Sequence, residues 1–351
     1  PKIMKKICFA LIFFSLLFSN AFAQKKAKNV ILLIGDGTGL TQLYASYEAN
    51  NRNLNIYSMP HTALSITNCY DKKVTDSGAG GTAIAIGKKT HYRGIGVDAE
   101  DNPSLSLLEI AKQKGKHTGI LVSCDLCHAT PASFIAHVKD RDSVEDIAEF
   151  YLTEHCDIFM GGGKMRFDQR KDNRNLIDSL RDKGYEVVFS EAEMLNTKSQ
   201  KIAGMFADNY MPIYKERGDI LQKALALTLE RLDKNNKKGF FLMFEGSQID
   251  SYAHNNDFET MLGEIKDFDE CVRIALEFAK KDKNTLVVVT ADHETGGLTL
   301  VADGNNDKPH FSTGGHTAAP VIIYAYGPGS ENFHGVIQNN ETFDLILKSM
   351  K

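Results

Sequence analysis

Ser77 lies in the run VTDSGAGGTAIAIG, behind an acid, Asp76, and ahead of the small residues Gly78, Ala79, Gly80 and Gly81. A serine hydroxyl is a weak nucleophile until a base or a metal ion takes its proton. Small neighbours admit a bulky tetrahedral anion, and a helix starting there would aim free N–H groups at it. The same run also reads as an ordinary N-cap followed by a small-residue helix. The rest of the chain has to decide.

Residues of metal-ligating type are scattered around it. Asp250 and His254 stand four apart in GSQIDSYAHNN, so one helical turn would point both the same way, toward a shared metal or toward solvent. Asp292 and His293 are adjacent in VVVTADHETGG, where a strand end can turn both side chains to one ion. His316 sits among glycines and small residues in FSTGGHTAAP, and its case rests on completing a ligand set. Thr130 in CHATPAS and Arg141 in FIAHVKDRDS read alone as a loop residue and a solvated charge.

The elements that must position these groups alternate between apolar strand-like runs and helical patterns. That predicts an α/β three-layer sandwich, a mostly parallel central sheet with helices on both faces. Strands are expected at Asn29–Ile34, His117–Ser123, Gly239–Phe244, Asn284–Thr290 and Ala319–Tyr326. Helices are expected at Ser104–Lys114, Val144–Thr153, Asp219–Asp233 and Phe258–Lys280. In the last, Leu262, Ile265, Phe268, Val272, Ala275 and Leu276 recur at helical spacing. Three strands end in acids or an acid–imidazole pair. Open α/β sheets bind ligands beyond their strands' carboxyl ends, so Asp36, Glu245, Asp292 and His293 should share one rim.

The chain has 351 residues, 42% hydrophobic and 25% charged, enough for a sizeable core. Met4, Lys5 and Lys6, the apolar stretch Ile7–Phe18 and Ala21-Phe22-Ala23 read as an export signal over residues 1–23. The stretch is too short for an ordinary membrane span, so no stable membrane anchor is expected, and the length that follows suggests one large domain or two small ones. Cleavage would take away Lys2, Lys5 and Lys6 and no acid, moving the formal charge from −4 to −7. Such an acidic protein is a poor binder of nucleic acid. Five of the six cysteines survive cleavage, an odd number whose pairing cannot be read from spacing. The stretch 166–217 is polar and irregular, and reads as an excursion over the active face or toward a partner subunit.

Taken together, the segments NVILLIGDGTG, VTDSGAGGTA with GKKTHYRGIGVD, HATPASFIAHVKDR, FFLMFEGSQID with His254 behind it, LEFAKKDKNTLVVVTADHETGG and STGGHTAA resemble the alkaline phosphatases. The resemblance runs from about residue 29 to 330. It implies a single catalytic domain over 24–351, a broad phosphomonoesterase, periplasmic or secreted, acting as a homodimer on two zinc ions and one magnesium ion per chain. Ser77 matches the nucleophile that becomes phosphoserine. Asp36, Asp292 and His293 match one zinc site, and Asp250, His254 and His316 the second. Asp36, Thr130 and Glu245 match the magnesium site. Arg141 matches the guanidinium that grips the phosphoryl group, with Asp76 holding it. Zinc suits nitrogen-bearing sets and magnesium an all-oxygen set. Phosphoryl transfer is served by two cations about 4 Å apart and by a bidentate Arg fork.

Two positions depart from some relatives. His128 stands where several bacterial members carry Asp, which should weaken magnesium retention. Ser251 replaces larger or basic residues that touch bound phosphate, which should loosen product binding. The chief rival from another class is an exported c-type haem protein, because CDLCH (Cys124–His128) fits C-x-x-C-H. A phosphodiesterase or sulfatase of the same superfamily is the nearer alternative. The former usually carries Thr as nucleophile and lacks the clamping Arg. The sulfatase site fails at Ser58-Met59-Pro60-His61-Thr62, which has no Arg in place. Gly87-Lys88-Lys89-Thr90 mimics a P-loop but has Thr82 for its first glycine and Lys89 for its Ser/Thr.

Overall fold

The computed structural model describes residues 26–304 and 306–351, with backbone alone at 306 and 307; the expected export signal, residues 1–23, lies outside the described residues. The central strand β1 (Asn29–Gly35, NVILLIG) is buried at every position. Its alternate side chains enter two different cores, Val30, Leu32 and Ile34 on one face and Ile31 and Leu33 on the other. Each such side chain contributes about 2 kcal/mol when fully buried, so this strand is stable only with both faces covered.

The other strands are β2 (His61–Ile66), β3 (His117–Asp125), β4 (Ile158–Gly162), β5 (Glu186–Val188), β6 (Ile202–Met205), β7 (Phe240–Gly246), β8 (Thr285–Thr290), β9 (Glu294–Thr295), β10 (Leu298–Asp303), β11 (Asn306–Phe311), β12 (His316–Thr317), β13 (Val321–Tyr326) and β14 (Gly335–Gln338). Ten of them make one sheet in the order β14-β2-β13-β8-β1-β7-β3-β4-β6-β5. Its pairings are parallel except that β13 runs against both β2 and β8. The expected fold class is therefore the observed one. Helices Ser77–Ile86, Leu107–Gln113, Val144–Phe150 and Glu341–Ser349 pack into one core, and Leu40–Ala49, Ile220–Asp233 and Phe258–Asp282 into the other.

All five expected strands form, and five more join them in the sheet. The stretch 166–217 supplies two of these, β5 and β6, at the sheet edge. A strand of three residues, Glu186-Val187-Val188 in β5, is too short to show a period, which is why β5 gave no signal. The expected helices also form, with starts shifted by up to three residues. Phe258–Asp282 runs for 25 residues and buries Met261, Ile265, Phe268, Val272, Ala275 and Leu276.

What positions the site is the order β8-β1-β7-β3 at the sheet centre. These four strands are parallel, and Ile34 is level with Glu245 on one side and Thr290 on the other. Asp36, Glu245, Asp292 and His293 therefore leave adjacent strands at the same rim.

Candidate active site

Helix Ser77–Ile86 begins at that rim with Asp76 as its N-cap. The Asp76 carboxylate accepts from the N–H groups of Gly78 and Ala79, both at 3.2 Å, and from Arg93 N–H at 3.0 Å. It also accepts from Arg141 Nη1 at 2.9 Å. Burial pushes this carboxyl up, yet the Arg93 N–H and the Arg141 guanidinium outweigh it and hold Asp76 below its ordinary range. The cap and the clamp are one residue. The small run lets the helix sit close to the loop after β8: a Cβ on Gly80 would come 2.9 Å from the Asp292 carbonyl oxygen. Gly37, at φ +69°, turns the chain after Asp36, and a Cβ there would meet Asp250 Oδ1 at 2.8 Å.

Three histidines face the rim, each oriented from behind. His254 Nδ1 donates to the Gly314 carbonyl (2.6 Å) and His316 Nδ1 to the Thr75 carbonyl (2.8 Å). His293 Nδ1 lies 3.2 Å from the Thr295 hydroxyl, which in turn donates to Asp250. A neutral imidazole that donates through Nδ1 presents a lone pair at Nε2. His293 Nε2 lies 3.2 Å from Ser77 Oγ and 3.4 Å from both Asp36 and Asp292. His254 Nε2 and His316 Nε2 face one another at 3.0 Å, with Asp250 at 3.3 and 3.6 Å. The hydrogen bond to Asp250 raises the pKa of His254 to about 9, so in the bare chain a proton on His254 Nε2 bridges to the His316 lone pair, where a divalent cation could take its place.

The carboxylates show a deficit of positive charge. Both oxygens of Asp36, one of Asp292 and one of Glu245 are buried without a hydrogen-bond partner, as is the Thr130 hydroxyl. Burial, then Asp292, Asp250 and Glu245, push Asp36 well above the carboxylate range. Burial likewise lifts Glu245 to about 7 and Asp292 to about 6. Asp250 also feels burial, but the imidazoles around it prevail and hold it low. Buried acids crowded with orphaned oxygens, beside converging imidazole lone pairs, fit divalent cations in chemistry and in geometry. Asp36, Asp292 and His293 form one ligand group, and Asp250, His254 and His316 a second. Beside them, Glu245 accepts from Ser247 Oγ at 2.7 Å and faces the Thr130 hydroxyl; these are the residues expected at the magnesium site with Asp36.

Cys124 and His128 also come within ligand distance of Glu245. His128 is otherwise engaged: Arg141 Nη2 lies 2.9 Å from its Nε2. A guanidinium can only donate, so Nε2 accepts and the proton sits on Nδ1, leaving no lone pair for a metal. Burial and Arg141 hold this ring neutral, with its pKa pushed down to about 3. Cys124 Sγ, 3.5 Å from Glu245 Oε2, was missed as a neighbour of the site because nothing in CDLCH marks which side chain turns inward. Cys124 and Cys127 are fully buried and unbonded, so neither is accessible for a haem thioether. Tyr210, from the irregular stretch, lies edge-on to His128 with ring centroids 5.8 Å apart and also carried no signal. Thr295 and the Gly314 carbonyl were missed too.

Asp36, Asp76, Ser77, His128, Thr130, Arg141, Glu245, Asp250, His254, Asp292, His293 and His316 thus gather around one rim; among the described residues Ser251 shows no side-chain hydrogen bond there. The alkaline phosphatase family model matches residues 27–308. "Alkaline phosphatase 4" of Bacillus subtilis is 34% identical over 95% of this chain and 91% of its own. The alkaline phosphatase of Escherichia coli is 30% identical over 92% and 86%. The solved alkaline phosphatase of the Antarctic bacterium TAB5 superposes with a TM-score of 0.89 at 39% identity, covering 93% of this chain and 98% of that one. A histidine-to-aspartate mutant of that enzyme, 38% identical, was solved with magnesium bound in its M3 site and has the same TM-score and coverage of this chain. The chain belongs to the alkaline phosphatase family and is a hydrolase of phosphate monoesters.

Proposed function

We propose that the rim hydrolyses phosphomonoesters of broad structure through a covalent phosphoserine on Ser77, with two zinc ions and one magnesium ion per chain. The observation that carries this reading is Ser77 Oγ, 3.2 Å from His293 Nε2 inside a shell of orphaned carboxylate oxygens. Asp36, Asp292 and His293 would hold one zinc, Asp250, His254 and His316 the other. Asp36, Thr130 and Glu245 would hold magnesium. When bound, such ions supply Lewis-acid charge to the attacking and leaving oxygens of an in-line displacement.

The chain's own groups do the rest. Arg141 is fixed on two sides, by Asp76 and His128, so its remaining N–H groups are aimed before substrate arrives. The N–H groups of Gly78 and Ala79 are taken by Asp76, so the start of helix Ser77–Ile86 would favour the phosphoryl oxygens through its dipole rather than through those donors. Ser77 Oγ gives up its proton and bonds phosphorus as the P–O bond to the alcohol breaks, and the departing oxygen takes up a proton to leave as the alcohol. Water then attacks the phosphoserine, phosphate leaves, and Ser77 regains its proton. Two inversions give retention at phosphorus.

We read the product as exported and the enzyme as a homodimer, in keeping with the resemblance. The partly exposed Leu40, Tyr44, Tyr57 and Val301 offer apolar surface for a second copy. Phosphodiesterase and sulfatase activities are disfavoured by Ser77 together with Arg141. The deciding experiment incubates the protein with inorganic phosphate, quenches in acid and locates phosphate by peptide mass. Phosphate on Ser77, with zinc and magnesium at two and one per chain by elemental analysis, is the expected result. Phosphate on another residue, or undiminished turnover of p-nitrophenyl phosphate by Ser77→Ala, would overturn it.

A further inference from the structure

A cavity of about 310 Å³ opens beside the cage, between His254 and His316 on its inner side and Lys72 and Tyr92 on its outer side. The inner wall leads directly to the nucleophile. His316 stacks on His293 with ring centroids 3.6 Å apart, and His293 touches Ser77. The cavity thus adjoins the cage on its His254 and His316 side, and the alcohol part of a phosphomonoester directed that way would enter it.

Its outer wall carries a held cation. Lys72 Nζ lies 3.6 Å from the centroid of the Tyr92 ring. The two residues are set by the chain around them. Tyr92 N–H donates to Asp71 Oδ1 at 2.8 Å, Tyr70 N–H to the Thr90 carbonyl at 2.9 Å, and Cys69 Sγ to the Lys72 carbonyl at 3.5 Å. Arg93, the next cation along, is taken up by Asp140 and Asp142. Lys72 forms no ion pair among the described residues; its ammonium rests on the ring face, which leaves N–H groups free. A ring-supported ammonium has fewer positions open to it than a loose surface lysine, so a partner binds it at lower entropic cost.

We propose that Lys72 reads a second anionic group on the substrate. Preferred substrates are then phosphomonoesters whose alcohol carries a carboxylate or a further phosphate. The proposal rests on the phosphatase reading of the cage and goes beyond it by giving the leaving group a recognised charge.

The test measures kcat/KM for two matched pairs, phosphoglycerate against glycerol phosphate and propanediol bisphosphate against propyl phosphate. In the wild type the charged member of at least one pair is preferred by about fivefold or more. Which pair shows it tells carboxylate from phosphate. Lys72→Gln removes the preference, Lys72→Glu reverses it, and Lys72→Arg restores it. A preference unchanged in Lys72→Gln, or absent from the wild type in both pairs, overturns the proposal. Wild-type protein that leaves even p-nitrophenyl phosphate intact would bring down the phosphatase reading, and this proposal with it; the two failures are thus distinguishable.

Discussion

Among the described residues, two clusters of buried acids are satisfied in opposite ways. Near the start of helix Ile220–Asp233, Arg217 pairs with Glu264 at 2.6 Å and Asp267 at 2.7 Å, all three side chains no more than 3% exposed. Tyr214 N–H (2.7 Å) and Gln222 Nε2 (2.9 Å) fill further oxygens of these acids. At the rim, Asp36, Glu245 and Asp292 are as deeply buried, yet oxygens on each remain without partners. Both clusters concentrate negative charge where water is excluded. One brings its own cation from the chain; the other leaves its coordination open. An acid cluster that serves the fold is closed by protein atoms, and one that serves chemistry is completed from outside.

The largest effect belongs to the open cluster. Ser77→Ala should lower turnover of p-nitrophenyl phosphate by a factor on the order of 10⁴ or more, with the melting temperature nearly unchanged. Turnover above a few per cent of wild type would mean the nucleophile lies elsewhere. The closed cluster should show its strength in stability instead. Arg217→Met leaves two buried carboxylates without a cation and should cost about 3–5 kcal/mol in denaturant unfolding. Adding Glu264→Gln and Asp267→Asn should recover most of that loss. A loss below about 1 kcal/mol would erase the contrast between the clusters.

Asp36→Asn sharpens the contrast from the other side. In protein stripped by chelator, Asp36 is an acid pressed against Asp292, Asp250 and Glu245 with neither oxygen bonded. Neutralising it should stabilise the stripped protein by roughly 1–2 kcal/mol, seen as a higher melting temperature, while restored ions should no longer raise that temperature as they do in the wild type. A stripped Asp36→Asn protein less stable than stripped wild type would show that the acids are not in conflict.

The same contrast explains what could be read from the sequence. Acids at the ends of Asn29–Ile34, Gly239–Phe244 and Asn284–Thr290 were legible because parallel strands deliver their carboxyl ends to one rim. Asp250 and His254 were legible through helical spacing. The groups that orient the imidazoles were not, because they are backbone carbonyls and a hydroxyl. His316 pairs with the carbonyl of Thr75, 241 residues away, and a carbonyl has no sequence signature. The N-cap reading of the run at Ser77 does not exclude the catalytic one, since Asp76 caps the helix and holds Arg141 at once. The Arg217 cluster went unread because its members are ordinary surface types whose burial only packing decides.

The smallest effect comes from a third acid site, which resembles the closed cluster but depends on pH. Glu109 Oε1 lies 3.1 Å from His137 Nε2 and 3.3 Å from His155 Nδ1, and Glu109 Oε2 accepts from Ser106 N–H at 2.8 Å. Burial opposes charge on His137, but Glu109 and the Gly96 carbonyl, 2.7 Å from Nδ1, prevail and raise its pKa. Burial also opposes charge on Glu109, and His137 prevails there, lowering it. The stability from His137 is therefore fully present below the unfolded value of about 6.5 and is lost as pH rises through the folded value. The stability from Glu109 is present above about 4.3 and is lost on acidification. The pair should be strongest between those limits. His137→Gln should cost about 1 kcal/mol near pH ~6 and markedly less near pH ~9, measured as paired urea unfolding curves. A cost that stays level or grows toward alkaline pH would mean that Glu109, like Asp36, is an acid whose counter-charge the chain does not supply.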